Sequence, residues 1–324
     1  MKKILLLVGL IIFLNDSSQS QILIGDYGKA GTNELNVSNL VKSWNPEYII
    51  TLGDNNYDLG EASTIDANIG QYYRQFIFPY TGGYGPGDTV NRFFPSMGNH
   101  DWYTASGAAY LNYFTLPGNE RYYDYVKGNV HFFVIDSDPN DPDGVDSNSV
   151  QAQWLKLKLS QSSEKFNLVY FHHPPFSSSA HGSQVYMQWP FKKWGATAVL
   201  AGHEHSYERL YIDSLYYIVN GLGGRSIYAF NTPVSGSQVR YNNNYGAMLA
   251  ESYNDSLVFR FITVTPTVRD YFTIYPEPKK LHLTSFIQGL YDPLTNTMIG
   301  DTIKVLLRNF DSPYEIKDSS TGFL

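Results

Sequence analysis

Leu168-Val-Tyr-Phe-His172-His173-Pro-Pro-Phe-Ser-Ser-Ser-Ala-His181 is the stretch on which the reading of this chain turns. An apolar and aromatic run stops at two histidines, and a third follows after a short polar loop. A hydrophobic run that ends in a ligand-type residue is how an α/β sheet presents chemistry at the carboxyl ends of its strands. One such end is commonplace; here it recurs. Ile22-Leu-Ile-Gly-Asp26-Tyr-Gly28 and Tyr48-Ile-Ile-Thr-Leu-Gly-Asp54-Asn-Asn-Tyr57 both close on Gly-Asp. Arg92-Phe-Phe-Pro-Ser-Met-Gly98-Asn99-His100-Asp101 and Ala196-Thr-Ala-Val-Leu-Ala-Gly202-His203-Glu-His205 close on Gly followed by a potential ligand.

Between these ends the pattern turns helical, over 32–44, over 151–159, and over 71–88 as a helix followed by a loop. Strands alternating with helices predict an α/β layered fold. From residue 216 the texture becomes β-rich, with strands predicted at 216–219, 247–251, 257–264 and 267–274 that would complete a second sheet of the same domain. Gly221-Leu-Gly-Gly224 has the spacing of a loop passing close to a site, but it opens no helix and is not a phosphate-binding motif.

The ends of the chain are separate matters. Met1-Lys2-Lys3 and the apolar run 4–14 are too short to span a bilayer and fit a signal peptide over 1–20, with a mature start near Gln21. The rival reading is a buried first strand. Export predicts a secreted, periplasmic or cell-surface protein with no membrane span after the signal is removed. Pro276-Glu-Pro278 marks the end of a catalytic domain over 21–276. The remainder, 277–324, shows period-two patterns at 281–286 and 303–307 around a polar turn at 292–297. This short β-rich C-terminal extension is either a truncated β-sandwich module or strands that dock on the catalytic domain.

Composition excludes several functions. The absence of Cys removes disulfides, thiolate metal sites and thiol nucleophiles, so any metal must be held by His, Asp, Asn or Tyr. A formal net charge of −7, or −8 once the two lysines and one aspartate of the leader are gone, and the lack of basic runs argue against nucleic acid as a partner.

The ligand-type residues at the strand ends are Asp26, Asp54, Tyr57, Asn99, His100, His172, His181, His203 and His205, a set that takes in five of the chain's eight histidines and is too rich for one metal ion. Two ions sharing a carboxylate, about 3.5–4 Å apart, are a recurring device for cleaving phosphoesters. Gly-Asp26-x-Gly28, Gly-Asp54-x-x-Tyr57, Gly-Asn99-His100-Asp101, Val169-x-x-His172 and Gly-His203-x-His205 together resemble the motif set of the calcineurin-like metallophosphoesterases, in order and over residues 22–275. They resemble the purple acid phosphatase branch in particular, because Gly28 stands where most of the superfamily has a metal-binding His and Tyr57 is present to replace the lost ligand.

The resemblance implies a four-layer α/β/β/α sandwich of two mixed sheets flanked by helices. It implies Fe(III) bound by Asp26, Asp54, Tyr57 and His205. A divalent ion (Fe, Zn or Mn) would be bound by Asp54, Asn99, His172 and His203, with Asp54 bridging. His100 and His181 would hold the phosphate and assist protonation of the leaving group. Beside the resemblance, Asp101 is read as orienting the adjacent His100 through a hydrogen bond. The implied reaction is hydrolysis of phosphate monoesters through attack of a metal-bound hydroxide. The alternatives are a phosphodiesterase or nucleotide pyrophosphatase with the same metals, and a non-catalytic surface-binding module on the same fold. His173 matches no motif and is read as a surface or pocket residue, and Asp136 and Asp138 end a strand without matching one.

Overall fold

The computed structural model describes residues 19–276 continuously and, beyond them, only segments within 291–323. The chain divides into two compact units between Pro276 and Glu277. The expected signal peptide, except for Gln19 and Ser20, lies outside the described residues, as does the strand expected at 281–286.

Among the described residues, thirteen strands build the larger unit. β1 (Gln19–Ile24), β2 (Tyr48–Thr51) and β3 (Phe93–Pro95) lie parallel, with Ile22 opposite Ile49 and Ile50 opposite Phe94. β4 (Tyr123–Lys127) forms a hairpin with β5 (Val130–Val134), which runs parallel to β6 (Phe166–Phe171) and β7 (Ala198–Ala201). β8 (Tyr207–Ile212), β9 (Leu215–Asn220) and β10 (Ser237–Tyr241) complete that second sheet, in the order β10-β8-β9-β7-β6-β5-β4. β11 (Gly246–Tyr253), β12 (Ser256–Thr263) and β13 (Val268–Ile274) form an antiparallel meander, and the first sheet is ordered β13-β12-β11-β1-β2-β3.

That order corrects one expectation. The strands after residue 245 extend the first sheet, with β11 pairing antiparallel to β1, while only 216–219 joins the second. β1 is buried on both faces and paired with β2 on one edge; the meander supplies the hydrogen bonds its other edge needs.

The longer helices are set by their apolar faces and, for the helix after Ser149, by a side-chain cap. α1 (Thr32–Ser43) places Val37 and Val41 on the first sheet. Two single-turn helices, α2 (Ile65–Asn68) and α3 (Gly70–Tyr73), begin before the helix expected at 71 and give way to a 3-10 turn at Arg74–Phe76 and a loop. α4 (Asn99–Trp102) starts directly on the third ligand-bearing end, and α5 (Ala108–Tyr113) follows. α6 (Val150–Gln161) is capped by the Ser149 hydroxyl, which accepts from Ala152 N, and presents Ala152, Leu155 and Leu159 to the second sheet. α7 (Phe191–Trp194) completes that outer layer.

Alternation along β6 shows the layering. Leu168 and Tyr170 enter the core between the sheets, and Val169 and Phe171 face the cluster with α6 and α7. Each fully buried aliphatic or aromatic side chain there contributes roughly 1.5–3 kcal/mol. The architecture is therefore the expected four-layer α/β/β/α sandwich of two mixed sheets flanked by helices. In the smaller unit β14 (Tyr291–Asp292) pairs with β15 (Thr297–Met298), and β16 (Thr302–Arg308) with β17 (Ile316–Phe323). The strand expected at 303–307 falls within β16.

Candidate metal centre

Parallel strands deliver their carboxyl ends to one edge, so the sequence-predicted residues converge. Tyr57 Oη lies 3.0 Å from Asp26 Oδ1 and 3.1 Å from His205 Nε2, and the latter is 3.3 Å from Asp26 Oδ1. A second group surrounds His172 Nε2, with Asn99 Oδ1 at 3.1 Å, His203 Nδ1 at 3.2 Å and Asp54 Oδ1 at 3.4 Å. Asp26, Asp54 and His172 offer ligand atoms within 4.8 Å of one another, which puts Asp54 where the two groups meet. Donors held ~2.0–2.3 Å from a common ion stand about 3 Å apart, the spacing seen in both groups.

The surroundings fit metal ions. Asp26 is fully buried and its Oδ2 has no hydrogen-bond partner, a cost that a bound cation would remove. Asp26, Asp54 and His203 adopt φ values of 55°, 54° and 68°, the left-handed region that costs a non-glycine residue of order 1–3 kcal/mol. His172 Nδ1 faces Leu52 O at 2.8 Å; donating to that carbonyl leaves Nε2 as a lone pair aimed at the cluster.

Glycines make the approach possible. A Cβ on Gly28 would lie 1.9 Å from the Asn55 carbonyl oxygen, so no side chain fits at this position. Gly53, at φ 86°, would bring a Cβ within 2.5 Å of His172 Nδ1.

Electrostatics bind the groups together. Burial opposes ionisation of Asp54, but His172 and His100 outweigh it and hold the carboxyl below its usual range. Burial likewise opposes protonation of His172, and Asp54 overcomes it, raising the imidazole to about 10. Burial and then the charges of Asp26 and Asp54 push the Tyr57 phenol well up, a shift a cation between them would reverse. Burial and the His172 charge lower His173 to about 3 and also drive His203 down.

The expected outer residues are placed differently from one another. The His100 ring packs on Tyr57 with centroids 4.3 Å apart, and its Nδ1 meets the Asp58 carbonyl. Among the described residues, the hydrogen bonds of Asp101 go to other groups than this ring. The Asp101 carboxylate accepts from Gly98 N at 2.9 Å and from Asn55 N and Nδ2, which braces the second and third motif loops against each other. With three donors converging on it, this carboxyl sits where it ties backbone together instead of reaching the ring beside it. His181 is exposed, yet its ring stands edge-on to His203 at 4.6 Å and stacks on Tyr228 at 5.2 Å. Burial and then His205 lower its pKa.

Several residues escaped the motif reading. His173 is buried, hydrogen-bonded to Ser137, and groups with His172 and His203. Tyr228 stacks on His205 with centroids 4.0 Å apart, and Ser226 Oγ contacts His205 Nδ1. Arg225 lies 5.2 Å above the Tyr57 ring and donates to Asp58 Oδ1 at 3.1 Å. All but His173 sit on the loop that opens with Gly221-Leu-Gly-Gly224, whose glycine spacing was the one available signal. Asp136 is structural: it accepts from Trp102 Nε1 at 2.8 Å and from Asp138 N.

Residues 11–207 match the family model described as Calcineurin-like phosphoesterase, and the chain belongs to that family. Within it, the similarity runs to purple acid phosphatases. The rabbit (Oryctolagus cuniculus) tartrate-resistant acid phosphatase type 5 is 22% identical over 283 residues, covering 76% of this chain and 83% of the relative. The solved purple acid phosphatase PPD1 from yellow lupin (Lupinus luteus) seeds superposes with a TM-score of 0.65 at 17% identity, covering 80% of this chain and 54% of that one. GAP50, described as the anchor in the inner membrane complex of Plasmodium, superposes with a TM-score of 0.64 at 18% identity, covering 81% and 90%. The chain is a purple acid phosphatase-like metallophosphoesterase, a hydrolase whose family implies a dinuclear metal centre.

Proposed function

We propose that the protein is an exported phosphatase that hydrolyses small phosphate monoesters at an Fe(III)–divalent centre, the divalent ion being Fe, Zn or Mn. The observation that supports this most directly is the pair of donor groups meeting at Asp54, one with a phenol and one without. A phenolate is a hard anionic donor that suits Fe(III), so Asp26, Asp54, Tyr57 and His205 would hold it; Asp54, Asn99, His172 and His203 would hold the divalent ion. Together the two ions would supply a nucleophile from water and neutralise the phosphoryl oxygens.

The chain's own residues do the rest. His100, fixed by Tyr57 and the Asp58 carbonyl, orients a phosphoryl oxygen. His181, stacked on Tyr228, gives a proton to the departing oxygen. Arg225, above the Tyr57 ring, and Lys29 share the Asp58 carboxylate and add positive charge where an anionic substrate would approach. The lack of basic runs on an acidic chain keeps nucleic acid out of the substrate class. Export rests on the basic head and apolar run of the leader. Among the described residues no helix is long and apolar enough to cross a membrane.

Likeness to GAP50 keeps a binding-only reading open to test, since the fold alone does not carry catalysis. The experiment is the visible spectrum, metal content and hydrolysis of chromogenic mono- and diesters by the wild type, Tyr57→Phe and His203→Ala. A purple band lost in Tyr57→Phe, with monoesterase activity lost in His203→Ala, supports the proposal. A colourless enzyme holding two divalent ions removes the Fe(III) assignment, faster diester turnover shifts the substrate class, and an inert metal-free protein that resists reconstitution overturns the proposal in favour of the binding module.

A further inference from the structure

Glu208 stands on β8, three residues beyond His205, and is fully buried. An apolar residue at that strand position would avoid the desolvation cost that a buried carboxylate carries. Its oxygens are engaged by one loop and by the first residue of β10, where a second loop ends. Oε2 accepts from Ser178 N at 2.7 Å, and Oε1 accepts from Ser178 Oγ and from Ser237 Oγ, each at 2.6 Å. The same two loops meet again around Ser178, whose carbonyl accepts from Asn231 N at 2.7 Å and whose hydroxyl accepts from Val234 N at 2.9 Å. Asn231 Nδ2 donates to Ser179 O at 3.1 Å.

One of these loops ends in His181 and the other carries Tyr228. Tyr228 N donates to His205 O at 2.9 Å, and the Tyr228 ring lies parallel to His205, with an interplanar angle of 9°. His181 stacks on Tyr228 at 16°. His181 thus stacks on a ring carried by the loop that the clasp at Glu208 joins to its own.

We propose that Glu208 is a positioning residue for His181. By holding Ser178 and Ser237 together it sets the two loops so that the His181 imidazole stands at the metal centre, where it can protonate the leaving oxygen. This rests on His181 acting as the proton donor in the phosphatase proposed above.

Proton donation matters most when the leaving group is a poor one, so leaving-group dependence reads His181 placement directly. General acid catalysis contributes of order 10²–10⁴-fold. The test compares kcat on an alkyl phosphate with kcat on p-nitrophenyl phosphate for Glu208→Gln, Ser178→Ala and His181→Ala, and for each of the first two combined with His181→Ala. Metal content and unfolding midpoint are measured on every variant. Glu208→Gln is expected to lower kcat on the alkyl phosphate about tenfold more than on p-nitrophenyl phosphate, with metal retained, and to add less than about twofold once His181 is alanine. Ser178→Ala cuts the clasp from the loop side while leaving the carboxylate in place, and should show the same selectivity should Glu208→Gln fold poorly. An equal loss on both substrates, a loss additive with His181→Ala, or a loss of metal would overturn the proposal by making Glu208 a structural support. A wild type without phosphatase activity would instead defeat the functional reading on which it rests.

Discussion

Gly28→Ala tests whether the proposed centre depends on the absence of a side chain at position 28. A Cβ there would stand 1.9 Å from Asn55 O, 2.1 Å from Asn55 C and 2.7 Å from Asn56 N, all backbone atoms. Ordinary contact begins near 3.4 Å, so the loop must retreat by about 1.5 Å. The displaced peptide lies between Asp54 and Tyr57, and the loops are joined by Tyr57 N to Gly28 O at 2.8 Å and Gly28 N to Asp54 O at 3.3 Å. Overpacking of this kind costs typically ~1–3 kcal/mol, and a ~1 Å misplacement of catalytic groups costs on the order of 100-fold in rate. Denaturant unfolding should show a lower midpoint at unchanged slope, and kcat/KM on p-nitrophenyl phosphate should fall about 100-fold together with metal content. Gly83→Ala is the control, because its Cβ would meet nothing nearer than 3.8 Å. If Gly28→Ala is as stable as Gly83→Ala and keeps its rate within about threefold, the argument that backbone crowding excludes a side chain at position 28 is wrong.

Two further outcomes follow from buried charges. Glu34 is fully buried with neither carboxyl oxygen hydrogen-bonded, and burial raises its pKa well above the usual value. A carboxyl raised on folding contributes stability that is full below about pH 4.3 and is lost as pH rises through the folded pKa. Glu34→Gln should therefore flatten the fall in unfolding midpoint between acid and neutral pH; an unchanged pH profile would contradict the burial argument. Arg209 and Asp270 form a two-bonded pair, Nε to Oδ2 at 2.7 Å and Nη2 to Oδ1 at 3.2 Å, that links β8 in one sheet to β13 in the other. Asp270→Ala should cost about 1.5–3 kcal/mol by removing the charged acceptor of both bonds, whereas Arg209→Met with Asp270→Leu should cost less. Equal costs by denaturant unfolding would show that the pair itself, and not the guanidinium left without its acceptor, matters.

The linear sequence determined the strand ends, because Gly followed by Asp, Asn or His after an apolar run is a local pattern with a local cause. It also showed the ligand types and, through the missing Cys, which donors were unavailable. β8 was less legible: Glu208 and Arg209 break the period of two, and their partners Ser178 and Asp270 lie 30 and 61 residues away. Assignment of β11–β13 to the first sheet, the role of Asp101 as a brace, and the inclusion of His173 were likewise decided by tertiary structure. Each depends on which backbone or carboxylate stands across a gap the chain closes only on folding, and neither periodicity nor spacing carries that information.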